Sequence, residues 1–587
     1  MAILSRSEAN SIQDSLIQDR DKHMPKWEEQ GRYIAPNRLK RDNRKTDGRK
    51  KTQDIINNQA GRSMRTFQSG MMNGATPSSR PWFNVVSSDP MVSQAASVKK
   101  YYKKVESTVE SHLQLSNFYR VMPLTYKDLA VFSNSAMAML EDAVTGFHFY
   151  HFAVGTYAFA CDEKSRPNMF VREFTLNVRQ VIEKYAGRDE KGDIDYKNID
   201  AGIIEKYKAK QYLDDVMLCN LIVPNPDYNP SKQSLNSHDK KFQSYTYVTG
   251  TNSNGVPSQS PVGFRNTNGE DKATKDKGNL KEYIKVSGFD YFPVIISRWE
   301  VEPEGYYGID GPGETAIADI KTLQKIEEYK FEAVVKLVRP PMVGHASLRR
   351  HQSSILAGGI TYVDDRGMQH GFKPAFSINP QLSELLGSKD EIERYIGNSF
   401  YEDLFRQLSS EKKLSHVTAA EINQRASETV AAIAPILGQF DHDTTGPIIE
   451  NAIYLLDKAG KLPEKPKELE DKSLKPEYIS VLAQASKASL ITTQEKFIGY
   501  VSSVSQALQR PELLRIVNAE KDVRQYAENA GIDPETILDE AEYNKSVEEY
   551  QEAMAKRAQQ ELAMQEAATA KTLSETKTTG DNALAAQ

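Results

Sequence analysis

The sequence predicts an α+β protein that is mainly helical and built from several domains. The chain has 587 residues, more than one ordinary hydrophobic core accommodates. Hydrophobic residues make up 39% and charged residues 26% of it, the balance of a folded soluble protein. Strand signals concentrate between residues 146 and about 300, whereas helical periodicity dominates on both sides of that region.

The first part of the chain, residues 1 to about 145, is predicted to be mainly helical. Its first 20 residues are too polar for a signal peptide, and no run in the chain approaches the roughly 20 apolar residues that span a bilayer. The segment Arg38–Lys51 is strongly basic. A solvated loop is the favoured interpretation of this segment, and contact with another macromolecule is the alternative.

The second part is predicted to hold the strands. Runs rich in β-branched and aromatic residues occur at Phe147–Ala160, Phe170–Phe174, Val216–Val223, Tyr245–Val248 and Tyr291–Trp299. Residues 252–277 are rich in Asn, Gly, Ser and Lys, which predicts a long mobile loop.

A long helix is predicted to begin at Pro312, because a proline is tolerated in the first helical turn. No glycine or proline interrupts the chain from Glu314 to Arg339, so the helix forms a rod of roughly 38 Å. Ile320 and Leu323 belong to its apolar face. Pro340 ends the rod.

A second helix follows an insert in which residues 360–372 read as a hairpin. A capping box at Ser388–Glu391 predicts its start, and an earlier start near Gln381 with a break at Gly387 is the alternative. Its apolar residues recur every four positions: Ile392, Ile396, Phe400 and Leu404. A short basic loop with Lys412, Lys413 and His416 comes next, and a capping box at Thr418–Glu421 opens a third helix.

The sequence contains only weak motifs for a catalytic, nucleotide-binding or metal-binding site. The glycine run Gly305–Gly313 precedes a helix as phosphate-binding loops do, but it lacks the Gly-Lys-Ser/Thr ending of a nucleotide-binding P-loop. A helix cap or hinge is therefore favoured there. Asp441-His442-Asp443 is compatible with metal binding or acid–base work, although a turn is favoured. The two cysteines, Cys161 and Cys219, support neither a disulfide framework nor a cysteine-rich zinc site.

The order of several motifs resembles the head-to-tail connector, or portal, proteins of short-tailed bacteriophages. The first two motifs are the glycine-rich segment Gly70–Phe83, which ends in Ser-Arg-Pro-Trp-Phe, and Val171–Thr175. Tyr307-Gly308 with Gly311-Pro312 then precedes the long helix, and the Pro340-Pro341 stop follows it. The last two motifs are Val417–Ile422, which is followed by Arg425 and Glu428, and Tyr478–Ala483. The resemblance spans roughly residues 5 to 535.

The resemblance implies a portal fold with a wing, a stem, a clip and a crown, and with a β-rich part of the wing. The implied assignments are 1–304 wing, 305–339 stem helix 1, 340–375 clip, 376–407 stem helix 2, 408–416 tunnel loop, 417–470 wing return helix and 471–566 crown. Residues 567–587 are predicted from their Ala, Thr, Ser and Asp content to be a disordered tail.

The resemblance also implies a structural ring and not an enzyme, with no cofactor. Twelve copies would form a channel at one capsid vertex of the virion, after assembly in the bacterial cytoplasm. Expected partners are double-stranded DNA, the terminase motor, tail or adaptor proteins, and the major capsid and scaffold proteins, without a membrane. Lys412, Lys413 and His416 would face DNA, Arg349 and Arg350 would contact a clip partner, and Ile320, Leu323, Ile392 and Ile396 would pack the stem and ring.

Two rival hypotheses stay open at this point. A nucleotide-binding enzyme built on Gly305–Gly313 predicts ATP binding by the isolated protein. An internal scaffold or DNA-coating virion protein predicts heterogeneous assembly without a central hole. The net charge of −5 fits a conduit for moving DNA, since strong phosphate contacts would hold the duplex in place, but it fits a soluble surface equally well.

Overall fold

The computed structural model describes most of the chain, in two compact units. The described residues are 4–40, 54–87, 96–188, 193–196, 198–231, 236–250, 283–338, 342–343, 373–374, 382–409, 436–466, 469, 474–478, 481–530 and 540–584. The first unit comprises residues 1–93 and 100–486, and the second comprises 94–99 and 487–587. No helix among the described residues is both long and apolar enough to cross a membrane.

The described residues up to Phe132 are mainly helical, as the sequence predicts. Two strands, Phe83–Ser87 and Asn134–Asp142, nevertheless fall within the part, up to about residue 145, that is predicted to be mainly helical. Its helices are α1 (Arg6–Asp21), α2 (Met24–Ile34), α3 (Gln59–Gly74), α4 (Ala96–Leu115) and α5 (Phe118–Phe132). Ser5 and Glu8 form a capping box that satisfies backbone N–H groups at the start of α1. Ser133 ends α5 in the left-handed region, with φ of 60°.

The predicted strands are confirmed, and they form two main antiparallel sheets. The longer strands are β1 (Phe83–Ser87), β2 (Asn134–Asp142), β3 (Gly146–Phe152), β4 (Tyr157–Cys161), β5 (Pro167–Asn177), β8 (Asp215–Pro224), β9 (Phe242–Gly250), β10 (Lys285–Phe289) and β11 (Val294–Arg298). The five-stranded sheet has the order β10-β9-β8-β5-β4, and the three-stranded sheet has the order β11-β2-β3. Between them lie two short helices, α6 (Val178–Tyr185) and α7 (Ala201–Lys208), and the 3₁₀ turn Ser237–Asp239.

The five-stranded sheet has a core on each face because its strands alternate inward and outward residues. One face packs on α1, where Ala9 and Leu16 meet Val171 and Leu221. The other face packs on α6 and α7 through a second apolar cluster that includes Val181. Short two-residue pairs complete the strands: β6 (Gly187–Arg188) with β7 (Ile194–Asp195), β12 (Glu300–Val301) with β13 (Gly308–Ile309), and β14 (Met342–Val343) with β15 (Lys373–Pro374).

One strand pair joins distant parts of the chain. β1 runs antiparallel to β16 (Leu474–Tyr478), with Phe83 opposite Tyr478. Two motifs that carry the family resemblance are therefore neighbours in the fold, although Phe83 and Tyr478 are 395 positions apart in the chain. They are the Pro-Trp-Phe segment and the segment beginning at Tyr478.

The two rods are α8 (Pro312–Thr315) with α9 (Ile317–Val338), and α10 (Leu382–Ser399) with α11 (Glu402–Ser409). The second rod differs from the sequence prediction in two ways. The capping box at Ser388 does not start α10, which runs unbroken through Gly387 from Leu382. A left-handed Tyr401, with φ of 54°, divides the predicted single helix 376–407, because that conformation cannot continue an α-helix.

The return segment and the C-terminal helices also differ from expectation. Asp441–Thr445 forms a π-helical turn leading into α12 (Gly446–Lys458), where the sequence favours an ordinary turn. The second unit contains most of α13 (Val481–Ala507), the 3₁₀ segment Pro511–Ile516, α14 (Ala519–Ala530) and α15 (Glu540–Leu584). The expected disordered tail from 567 is helical through Leu584, in keeping with the high helix propensity of its alanines and lysines.

Several predicted features lie outside the described residues. They are the loop 252–277, the hairpin 360–372, the third helix that begins at Thr418 and the greater part of the basic segment, residues 41–51.

Candidate functional site

The glycine segment before the first rod is a packing junction. An added Cβ on Gly308 would lie 2.2 Å from the carbonyl oxygen of Ser133, so only glycine fits there. The Gly308 N–H donates to Oδ1 of Asn134 at 2.8 Å, and the Gly311 N–H donates to Oγ of Ser133 at 3.0 Å. These backbone groups are used to seat the rod on the end of α5, which favours the cap or hinge interpretation over a phosphate loop.

Tyr307 fixes the same junction from the other side. Its buried ring lies 4.5 Å from Phe159, 4.7 Å from His23 and 5.6 Å from Trp27, measured between ring centroids. Its hydroxyl accepts the backbone N–H of Phe159 at 3.4 Å. The first rod therefore starts from a rigid aromatic cluster contributed by α1–α2 and β4.

The first half of the rod α9 packs on its own chain. Ile320 and Leu323 are completely buried. The neighbouring Gln324 is also buried, and its Oε1 accepts the backbone N–H groups of Ile56 at 2.7 Å and Asn57 at 2.8 Å. Its Nε2 donates to the Asn57 carbonyl at 2.8 Å. One side chain thus satisfies three backbone groups of the segment that leads into α3.

Asn57 links the two rods to each other. Its Nδ2 donates to Glu327 on α9 at 3.1 Å and to Glu393 on α10 at 2.8 Å. Burial favours the neutral acid at Glu327, yet hydrogen bonds from Lys330 and Asn57 outweigh it and lower the pKa of that carboxyl. The hydrogen bond to Glu393 raises the pKa of Lys389. The amide of Asn57 therefore bridges the rods by donating to one carboxylate on each of them.

The end of the second rod is anchored on α3. Ile396, Phe400 and Leu404 are buried at the predicted spacing of four. The ring of Phe405 meets Phe67 edge to face, with centroids 5.5 Å apart.

The glycine-rich motif of α3 has a structural explanation at this contact. An added Cβ on Gly70 would lie 2.1 Å from the Phe405 ring, so α3 and α11 approach each other only because residue 70 has no side chain. Two turns earlier on α3, the Ser63 hydroxyl donates to Glu402 at 2.8 Å in a buried position.

The second half of α9 has a different surface. Six large apolar side chains are exposed there among the described residues: Tyr329, Phe331, Val334, Val335, Leu337 and Val338. Phe331 is 70% exposed and Val338 is 72% exposed. At 100° per residue these positions point to several sides of the helix, the pattern of a helix that is enclosed by neighbours. This surface was not predicted from the sequence, although apolar residues at 331, 333–335, 337 and 338 mark it.

The predicted site residues fall into two groups. Ile320, Leu323 and Ile396 are buried, and Ile392 is half-buried, so their packing takes place within one chain. The remaining predicted residues lie outside the described part of the chain: Lys412, Lys413, His416, Arg349 and Arg350.

The candidate metal or acid–base segment at Asp443 holds the return helix to a sheet. Asp443 is fully buried and accepts Nε of Arg298 at 2.7 Å and Nη2 at 3.0 Å. Arg298 also donates to the carbonyl of Ser165 at 2.8 Å. Burial raises the pKa of Asp441 to about 6, against a hydrogen bond from Thr445. No set of three His, Cys, Asp or Glu side chains suited to a metal ion occurs in the part of the chain that the structure describes.

Comparisons with known proteins agree with one another. A family model described as "Bacteriophage head to tail connecting protein" matches residues 6–261 and 271–538. The portal protein of Salmonella phage epsilon15 is 29% identical over 544 residues, covering 92% of this chain and 90% of that protein. The probable portal protein of Bordetella phage BPP-1 is 27% identical over 524 residues, covering 89% and 86%.

Among solved structures, one chain from the neck of an empty gene transfer agent particle is 11% identical in sequence to this protein. The match covers 76% of this chain and 86% of the neck chain. Its TM-score is 0.31, which carries no argument about the fold.

Proposed function

The chain belongs to the bacteriophage head-to-tail connecting protein family, and from that premise we propose that it is a portal protein. Copies of it form a ring at one vertex of the capsid. The ring is the channel through which the genome is packaged and later ejected, and the point at which the tail attaches.

The exposed apolar half of α9 is the observation that carries the proposal. A soluble monomer rarely exposes six large apolar side chains along about three turns of one helix. A closed ring built from head-to-tail contacts gives each rod two neighbours, one on either side. That arrangement accounts for apolar residues on several sides of the rod, where a single partner would require only one stripe.

The difference between the two halves of α9 supports the same arrangement. The first half of α9 is held by Gln324 and Asn57, so its direction is fixed within one chain. The apolar second half then projects from a rigid base, as a precise ring contact requires. The family function is structural, and the glycine junction gives no support to a nucleotide-binding enzyme.

The finer assignments follow the same proposal. Residues 1–304 with 417–470 form the wing, 305–339 and 376–407 form the stem, 340–375 the clip and 471–566 the crown. The loop 408–416 brings Lys412, Lys413 and His416 toward DNA, where a few positive charges guide the duplex without holding it.

The proposal extends to the partners. Arg349 and Arg350 in the clip contact the terminase motor and later the tail proteins. The ring has twelve subunits, and capsid and scaffold proteins surround it.

The decisive experiment is electron microscopy of the purified full chain in negative stain, viewed down the ring axis. Closed rings with a central hole are expected. Phe331→Glu should reduce ring formation because it places a charge in the subunit contact. Thr322→Glu, at an exposed position in the first half of the same helix, is the matched control and should leave rings intact. A parent protein that stays monomeric at high concentration would refute the proposal.

A further inference from the structure

One face of the five-stranded sheet carries a row of polar side chains. Its four members are consecutive partners across β5, β8, β9 and β10: Arg172, Asn220, Thr246 and Lys285. Residues that pair directly in an antiparallel sheet point to the same face, so the four side chains lie side by side. They share the face that α6 and α7 cover, because Phe174, two residues along β5 from Arg172, packs against those helices.

A cavity of about 330 Å³ lies where the end of α6 meets this row. Its described lining includes Lys184, Tyr185 and Asn198 beside Lys285, and it contains no carboxylate. Small-molecule sites have volumes of roughly 300–1,000 Å³, so the cavity suits a small ligand. Two cations without an acid in the lining indicate that the ligand is an anion.

Arg172 adds a third cation whose hydrogen-bonding capacity is not used up. Its guanidinium carbon lies 4.2 Å from the ring centroid of Phe152 and 5.0 Å from that of Phe174. Such contacts use the charge of the guanidinium but none of its N–H groups. Its buried Nε has no acceptor in the part of the chain that the structure describes.

The three cations repel one another, because none of them has a carboxylate partner among the described residues. Burial lowers the pKa of Arg172 to about 10. Burial also lowers the pKa of Lys184, and the charges of Arg172 and Lys285 lower it further. The adjacent Glu183 does not neutralise them, since it pairs with Arg179 at 2.6 Å on the exposed side of α6. A bound anion would favour the charged form of each group.

We propose that this cavity binds a small phosphate anion, orthophosphate or pyrophosphate. Lys184 and Lys285, both exposed, contact the anion, and Arg172 supplies positive charge from the sheet. Three cations match an ion with close to two negative charges better than they match one carboxylate. A DNA duplex fits less well, because it presents its phosphates on a convex surface. The site lies within the first unit of one chain, so it does not depend on ring formation.

Isothermal titration calorimetry of the purified full-length protein tests the site, with pyrophosphate and orthophosphate as titrants and chloride holding the ionic strength constant. Saturable binding is expected. Lys184→Ala with Lys285→Ala should weaken it at least about tenfold, because each lysine loses a charge-assisted hydrogen bond. Lys164→Ala with Lys208→Ala is the matched control, since it removes two charges from exposed positions outside the row and should leave the affinity unchanged.

Arg172 is tested as a positioning residue by two variants. Arg172→Met keeps an unbranched side chain beside Phe152 and Phe174 but removes the charge, and it should weaken phosphate binding. Arg172→Lys keeps the charge and should restore most of the affinity. Phosphate should also raise the melting temperature of the parent protein more than that of Arg172→Met, because a ligand stabilises a folded state in proportion to its affinity.

The outcomes separate the anion site from the proposed function. Absence of phosphate binding above the chloride background, or equal binding by the parent and the Lys184→Ala with Lys285→Ala protein, would overturn the site even if rings form. Acetate that binds as tightly as phosphate, or a short DNA duplex that displaces pyrophosphate from these lysines, would overturn the choice of ligand. Phosphate binding by a protein that forms no rings would support the site and refute the portal proposal.

Discussion

The buried ion pair between Arg298 and Asp443 gives the sharpest test of how the first unit is held together. Both side chains are at most 1% exposed, and two hydrogen bonds of 2.7 and 3.0 Å join them. Among the described residues, Asp443→Ala removes the one carboxylate that pairs with this guanidinium. It leaves only neutral partners: the carbonyl oxygens of Ser165 and Tyr306 and the thiol of Cys161. Loss of one partner from such a pair costs about 3–5 kcal/mol.

Urea unfolding, monitored by tryptophan fluorescence, measures the loss in the free energy of unfolding of the first unit. All three tryptophans, Trp27, Trp82 and Trp299, are buried in the first unit, so the signal excludes the second. Arg298→Met with Asp443→Leu removes both charges and should cost far less than the sum of the single changes.

The matched control for this cycle is Glu141→Ala. It breaks the exposed pair of Glu141 with Lys458 and should cost no more than about 1 kcal/mol. If Asp443→Ala costs as little as this control does, or if the double variant is as unstable as the sum of the singles, the explanation is wrong.

Three further outcomes are expected. Gly308→Ala should lower the melting temperature of the first unit, because the added Cβ meets the carbonyl oxygen of Ser133 at 2.2 Å; unchanged melting would show that the junction yields. The folded-state pKa of Asp441 is raised to about 6, so the folded state binds the proton more tightly and stability falls as pH rises from about 4 to above 6; Asp441→Asn should flatten that slope in melting curves recorded across this range. Lys412→Ala with Lys413→Ala should leave rings intact but change the amount of DNA packaged per particle, and normal genome content would count against the DNA-facing assignment.

Local sequence patterns were sufficient to predict most of the helices and strands. The strands from Phe147 to Trp299 and the rod from Pro312 were predictable because alternation and helical spacing report directly on which side of an element is buried. The favoured start of α10 at the Ser388 capping box was wrong, whereas the alternative start near Gln381 agrees with the observed start at Leu382. The capping-box pattern is a local signal that also occurs inside a helix, so it could not decide between the two. No glycine or proline marks the break at Tyr401, which lies between the buried Phe400 and Phe405.

The candidate site was less predictable because it depends on contacts between distant residues. The bridge from Asn57 to Glu327 and Glu393 joins residues about 270 and 336 positions apart, and no periodicity encodes it. Gly70 was recognisable as part of a motif, but its reason, the approach of the Phe405 ring, exists only in the folded chain.

The rod α9 joins these observations into one argument about assembly. Its buried half is specified by polar contacts that tolerate little change, since Gln324 is buried and satisfies three backbone groups. Its exposed half carries apolar side chains with no such directional partners. Directional contacts fix the angle of the rod in each copy, and non-directional apolar contacts then bind whatever rod lies beside it. A ring closes only if every copy presents the same angle, so the polar base of the rod, rather than its apolar surface, determines whether the assembly closes.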